Sequence, residues 1–110
     1  MFKQTLLVDF DETITKTRGF NGPPNPDAVA ALNILKEKFN IVIFSCRANK
    51  NILPVAHELM LIEYLDKHGV YYDEISQRKP VFFAMIDDKS YNPNITDWPT
   101  ITKNLLEAAN

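Results

Sequence analysis

This 110-residue chain has one cysteine, three glycines and no apolar run long enough to cross a bilayer. Cys46 alone cannot form an intrachain disulfide, which points to a reducing, cytoplasmic setting. Without a run of about 20 apolar residues there is no candidate membrane span. Residues Met1 to Thr5 lead straight into a strand-like segment, so no secretory leader is expected. Histidine is equally scarce, with only His57 and His68, and no His/Cys cluster suggests zinc. Charge of one sign is lacking too: the net value of −2 gives no global attraction to nucleic acid or to anionic lipid. Local binding of a phosphate group stays open. Internal repeats, low-complexity stretches and charge blocks are absent. What is present is ordinary globular composition, 45% hydrophobic and 24% charged, in a length that suits one domain spanning residues 1–110.

Apolar runs alternate with helical periodicity along the chain. A first strand is expected over about Thr5–Phe10, followed by a polar loop from Thr15 to Pro24 broken by Gly19, Gly22, Pro23 and Pro24. Asn25-Pro26-Asp27 reads as an N-cap, a first helical position and an acid at the positive end of the dipole. Ala28, Ala31, Leu32, Leu35 and Phe39 recur at helical spacing behind it. Ile41–Phe44 reads as a second strand. A second helix is expected over about Ile52–His68, with Ile52, Val55, Leu59, Ile62 and Leu65 as its apolar stripe and Gly69 as its C′ residue. A short strand is expected within Val70–Ile75 and a buried one over Val81–Ile86. A loop through Trp98-Pro99 then leads to a short helix over about Thr100–Ala109. Strands alternating with helices imply β-α-β units, and hence a three-layer α/β/α sandwich around a mostly parallel, Rossmann-like sheet.

Three of these strands end in polar groups. The first ends in Asp9 and Asp11, the second in Ser45 and Arg47, the last in Asp87 and Asp88. In a parallel sheet all C-terminal ends lie on one edge, where such sheets hold their ligands. Lys79 precedes the last strand, on a loop whose path can bring its ammonium to that edge. Two like charges about 4 Å apart repel by roughly 4 kcal/mol at an effective dielectric of about 20, so the acids call for a cation, the alternative being a solvated turn that happens to be acidic. Carboxylates are hard oxygen ligands that suit Mg²⁺ shared with substrate phosphate oxygens. A hydroxyl and a lysine supply donors for the remaining phosphate oxygens, and a carboxylate can attack phosphorus or carry a proton. The first strand is expected to end near Asp9, with the chain turning by Asp11.

In order and spacing, these residues resemble the motifs of the haloacid dehalogenase superfamily of phosphatases and phosphotransferases. Asp9-Phe10-Asp11-Glu12-Thr13 resembles the first motif, Ser45 the second, Lys79-Pro80 the third and Asp87-Asp88 the fourth. Ser45-Cys46-Arg47, Ile86-Asp87-Asp88 and Asp97-Trp98-Pro99 are similar to small members found in bacteria and phages. The resemblance implies a Mg²⁺-dependent phosphomonoester hydrolase with Asp9 as nucleophile, passing through an aspartyl-phosphate. Asp11 would protonate the leaving oxygen and then activate water, while its backbone carbonyl reaches the metal. Ser45 and Lys79 would hold the phosphoryl group, and Asp9, Asp11, Asp87 and Asp88 the metal. Family members often carry glycine where this chain has Glu12. Cap domains are common in the family, yet neither the loop after Thr15 nor the segment between Gly69 and Lys79 is long enough to hold one. The pattern therefore implies an open site for a phosphorylated small molecule, a nucleotide or a nucleic-acid terminal phosphate, or a site covered by a second copy of the chain.

Plainer readings stand beside these. Arg47 suits a bidentate phosphate contact, or an ion pair with a neighbouring acid. Arg18 reads as a solvated loop residue, His57 and His68 as surface positions, and Cys46 as a buried structural thiol. Trp98 reads as packing the final loop, with base stacking as the alternative. A response-regulator receiver uses similar groups, but in a different order: here the leading acid comes first and an acid pair follows the lysine. A nuclease fits Ser45 and Lys79 less well. A catalytically inactive binding or assembly module remains the alternative.

Overall fold

The computed structural model describes residues 3–17, 19–45, 55–77, 82–87, 92–93 and 96–109. Four strands, β1 (Gln4–Asp9), β2 (Phe39–Phe44), β3 (Glu74–Ser76) and β4 (Ala84–Ile86), form one sheet in the order β3-β2-β1-β4, with every pairing parallel. The helices are α1 (Pro26–Leu35), α2 (Val55–Lys67) and α3 (Trp98–Ala109). The alternation expected from the sequence runs from β1 through α1, β2 and α2 to β3, but β3 and β4 follow one another with no helix between them among the described residues. The register aligns Leu6 with Ile41 and Ala84, and Val8 with Ile43 and Ile86.

Period-two alternation divides the sheet residues into two buried groups. Leu6, Val8, Ile41, Ile43, Ala84 and Ile86 join the main core, to which all three helices contribute. Leu7, Val42 and Met85 form a separate buried cluster on the opposite face. Right-handed crossovers explain the placement of α1 and α2: from β1 to β2 to β3 the chain steps across the sheet in one direction, so both helices fall on the same face. The described helices thus supply one layer of the expected sandwich. Beyond β3 the chain returns to the far side of β1 to form β4. The order of strands reverses between β1 and β4, which is where open α/β sheets place their ligand crevice.

The local signals at helix ends read correctly from the sequence. Asn25 caps α1, its side chain accepting the Asp27 N–H at 3.0 Å, with Pro26 in the first turn. Gly69 adopts φ +66, and the Val70 N–H donates to the Leu65 carbonyl at 2.9 Å while the Gly69 N–H reaches that of Asp66 at 3.3 Å. Those two bonds make a Schellman cap with buried Val70 packed at its end.

Five expectations are corrected. Phe39 is not the last residue of the α1 stripe; the helix stops at Leu35 and Phe39 opens β2, fully buried. The stripe of α2 is rotated from the expected face: Leu61, Tyr64 and Leu65 are buried, whereas Leu59 is 61% exposed and Ile62 half-buried. Leu61 and Tyr64, both outside the expected stripe, complete an i, i+3, i+4 set with Leu65. The last strand is only Ala84–Ile86, with Phe82 and Phe83 exposed. Trp98-Pro99 begins α3 rather than preceding it, because Asp97 caps the helix: its carboxylate accepts the Thr100 N–H at 3.0 Å. Hydrogen bonding from Thr100 holds the Asp97 carboxyl below the usual carboxylate range. Trp98 is buried in the main core, which removes base stacking as its role. The short strand expected within Val70–Ile75 is β3 at Glu74–Ser76, and just before it Asp73 grips Ile41 twice, its N–H donating to the Ile41 carbonyl and its carboxylate accepting the Ile41 N–H, each at 2.8 Å.

The rotated face of α2 makes a direct prediction. Leu65→Ala is expected to destabilise by about 2–5 kcal/mol and Leu59→Ala by no more than about 0.5 kcal/mol, measured by urea unfolding.

Candidate active site

The strand register brings three of the sequence-identified residues to one edge. Asp9, the last residue of β1, pairs with Phe44, so Ser45 follows directly on the neighbouring strand. Val8 pairs with Ile86, so Asp87 follows at the level of Asp9 on the other side. Across the sheet the order is Ser45, Asp9, Asp87, on strands that lie about 4.8 Å apart. Ser45 is only 3% exposed and Asp87 8% exposed, while Asp9 is half-buried. The Ser45 N–H donates to the Ser76 carbonyl at 3.2 Å, tying the end of β2 to the end of β3. Arg18, Cys46, Arg47, Lys79 and Asp88 lie outside the described residues, as does the side chain of His57. His68 is half-buried, its ring 4.4 Å from that of Tyr64.

The end of β1 is built by the chain immediately after it. The Asp9 carboxylate accepts the Phe10 N–H at 2.9 Å, capping a single wide turn over Phe10–Ile14 that the Thr15 N–H closes onto the Phe10 carbonyl at 3.3 Å. Inside it Asp11 has φ −64 and ψ 128, and Glu12 φ 60 and ψ 15, which are close to the central residues of a type II turn. Fully buried Phe10 and Ile14 fasten the turn to the core. Thr15 braces it, its hydroxyl accepting the Glu12 N–H at 3.0 Å. Asp11 is thereby carried off the strand line, and its carboxylate accepts the Gly19 N–H at 2.8 Å. The strand ends at Asp9 and the chain turns at Asp11, as expected from the sequence.

Several features of this site are not announced by residue type. Glu12 sits in left-handed backbone, the conformation for which glycine is best suited and the physical reason a glycine serves well there. The bond from Gly19 to Asp11 was hidden because Gly19 reads only as a loop breaker. Phe10, Phe20 and Tyr64 meet in a three-ring cluster with centroids 5.3–5.6 Å apart. A cavity of about 260 Å³ opens beside that cluster, lined among the described residues by Phe20, Met60, Glu63, Tyr64, Lys67 and His68.

The oxygen donors that the register brings to this edge are two carboxylates at the ends of adjacent strands, Asp9 and Asp87. That chemistry fits Mg²⁺ rather than a softer metal. Among the described residues no group of three or more His, Cys, Asp and Glu side chains is arranged to hold a metal ion. Asp88 lies outside the described set. Among the described residues, no helix is long and apolar enough to cross a membrane. No protein-family model, curated protein or solved structure matches the chain.

The backbone at Glu12 can be tested directly. Left-handed geometry costs an ordinary L-residue about 1–2 kcal/mol, partly offset in a glycine variant by about 0.5–1 kcal/mol of extra chain entropy. Glu12→Gly is therefore expected to leave stability unchanged or raise it by up to about 1 kcal/mol, and Glu12→Val to lower it, in urea titrations of the two variants.

Proposed function

We propose that this chain is a Mg²⁺-dependent phosphomonoester hydrolase of the haloacid dehalogenase type, acting through an aspartyl-phosphate. The full three-layer sandwich and the absence of a cap domain belong to the same proposal. One observation carries it: at the reversal point of a parallel sheet, Asp9 stands between Ser45 and Asp87, with Asp11 displaced onto a turn beside it. The order of the motifs along the chain adds support, because a receiver domain would not put the leading acid on the first strand and an acid pair after the lysine.

The chemistry assigned to each residue is what the resemblance implies. The Asp9 carboxylate attacks phosphorus in line, the bond from phosphorus to the ester oxygen breaks, and the Asp11 carboxylic acid gives its proton to that departing oxygen. Asp11, now a carboxylate, takes a proton from water as the water oxygen attacks phosphorus. The Asp9–phosphate bond breaks, inorganic phosphate leaves and both acids return to their starting states. The Ser45 hydroxyl donates to a phosphoryl oxygen, and Lys79 and Arg47 are assigned the neutralisation of the others. Mg²⁺, held by Asp9, the Asp11 carbonyl, Asp87 and Asp88, would supply the positive charge that offsets clustered carboxylates and phosphate. An open edge admits a phosphorylated small molecule, a nucleotide or the terminal phosphate of a nucleic acid, with a second copy of the chain as a possible cover. A cytoplasmic setting, where Mg²⁺ is available and Cys46 stays reduced, accords with this reading.

The test is hydrolysis by the intact chain, with and without Mg²⁺, over a panel of nucleotides, sugar phosphates and 5′- or 3′-phosphorylated oligonucleotides. Asp9→Asn is expected to lower kcat by more than about 10³-fold, and Asp11→Asn by about 10²–10⁴-fold. Absence of hydrolysis across the panel, or activity that survives Asp9→Asn, contradicts the proposal and favours a binding or assembly role.

A further inference from the structure

The loop after the first motif is fastened at both ends of a short segment, and the fastening leads back to Asp11. At one end the Gly19 N–H donates to the Asp11 carboxylate at 2.8 Å. At the other the Tyr64 hydroxyl donates to the Gly22 carbonyl at 2.7 Å. Between them Phe20 lies against both Phe10 and Tyr64, at 5.6 Å to each ring centroid. Phe10 meets Tyr64 edge-on, at 5.3 Å and 89°. Tyr64 is the part of this assembly that belongs to a fixed element, since its neighbours Leu61 and Leu65 on α2 are fully buried in the main core.

We propose that Tyr64 is a positioning residue for Asp11: its hydroxyl and ring hold residues 19–22 so that the Gly19 N–H fixes the Asp11 carboxylate. The inference rests on the reading of Asp11 as the proton carrier. A carboxylate that must serve first as acid and then as base needs a fixed orientation, and misplacement by about 1 Å can cost up to about 10²-fold in rate. A backbone N–H contributes to that orientation only if its own loop is held. Gly19 has φ +93 with no atom within 4 Å of where a Cβ would stand, so backbone conformation rather than crowding explains glycine there. That conformation directs the N–H to Asp11. Burial pushes the Tyr64 hydroxyl above the usual phenol range, which keeps it a donor throughout any working pH.

Tyr64→Phe retains the three-ring packing and removes only the hydroxyl, and Gly19→Ala disturbs the same link from its other end. Backbone amide exchange by NMR on the intact chain reads the link without need of activity. In Tyr64→Phe the Gly19 amide is expected to exchange about tenfold faster while those of Leu61 and Leu65 are unchanged. Proton donation matters most for a poor leaving group. Both variants are therefore expected to lose about tenfold in kcat/KM with an alkyl phosphomonoester, but less than about threefold with p-nitrophenyl phosphate. Unchanged Gly19 exchange in Tyr64→Phe, or equal losses with both substrates, overturns the positioning role whatever the wild type does. If Gly19 exchange responds but the wild type hydrolyses neither substrate, the link through Tyr64 stands and the phosphatase reading falls.

Discussion

Everything at the C-terminal edge of this sheet depends on β1 stopping at Asp9. In a continued strand, residues two apart share a face, so Asp9 and Asp11 would stand on one side of the sheet as two equivalent acids. The turn over Phe10–Ile14 prevents this. It uses the Asp9 carboxylate as its own cap, places Glu12 in left-handed backbone at φ 60 and takes Asp11 away from the strand line. Two chemically identical side chains thereby receive different surroundings. Asp9 is aligned with the sheet edge between Ser45 and Asp87, and Asp11 is held by the amide of a following loop. A division of labour between nucleophile and proton carrier requires that kind of asymmetry.

The core is arranged so that this turn is held from below. Phe10 and Ile14 reach into the same buried cluster as residues of β1, β2, β4 and all three helices, from Leu6 and Ile41 to Leu65 and Trp98. Burying side chains of that size contributes about 1.5–3 kcal/mol each, more than the strain of one left-handed residue. The turn can therefore carry a glutamate where glycine would be easier. Sheet topology adds the second requirement. Because β4 returns to the far side of β1, a carboxylate on one neighbour and a hydroxyl on the other flank the same interior strand.

Where local chemistry determined the structure, the sequence was a good guide. Asn25, Pro26 and Gly69 act within a few residues of themselves, and each sits in the cap its type suggests. The parallel sheet and the meeting of Asp9, Ser45 and Asp87 followed from strand order alone, since parallel strands share one C-terminal edge. Amphipathic and boundary residues were harder to read. Tyr64 and Trp98 each carry a polar atom on a large apolar body, and both were core residues whose role depended on distant neighbours. Phe39 fits the spacing of α1 yet belongs to β2, because periodicity cannot say where a helix stops. The connections from Gly19 to Asp11 and from Tyr64 to Gly22 span 8 and 42 positions, and nothing in residue type announces either partner.

The central claim, that Asp9 is the group to which phosphorus becomes attached, is tested most directly by trapping the acyl-phosphate. The intact chain turning over a phosphomonoester with Mg²⁺ is quenched with acid and reduced with borohydride, which converts an aspartyl-phosphate to homoserine, and the modified residue is located by peptide mass spectrometry. The account predicts homoserine at position 9 and at no other aspartate, with none formed when substrate is omitted. Modification at Asp11 or Asp87 instead, or turnover that leaves every aspartate unmodified, would contradict it.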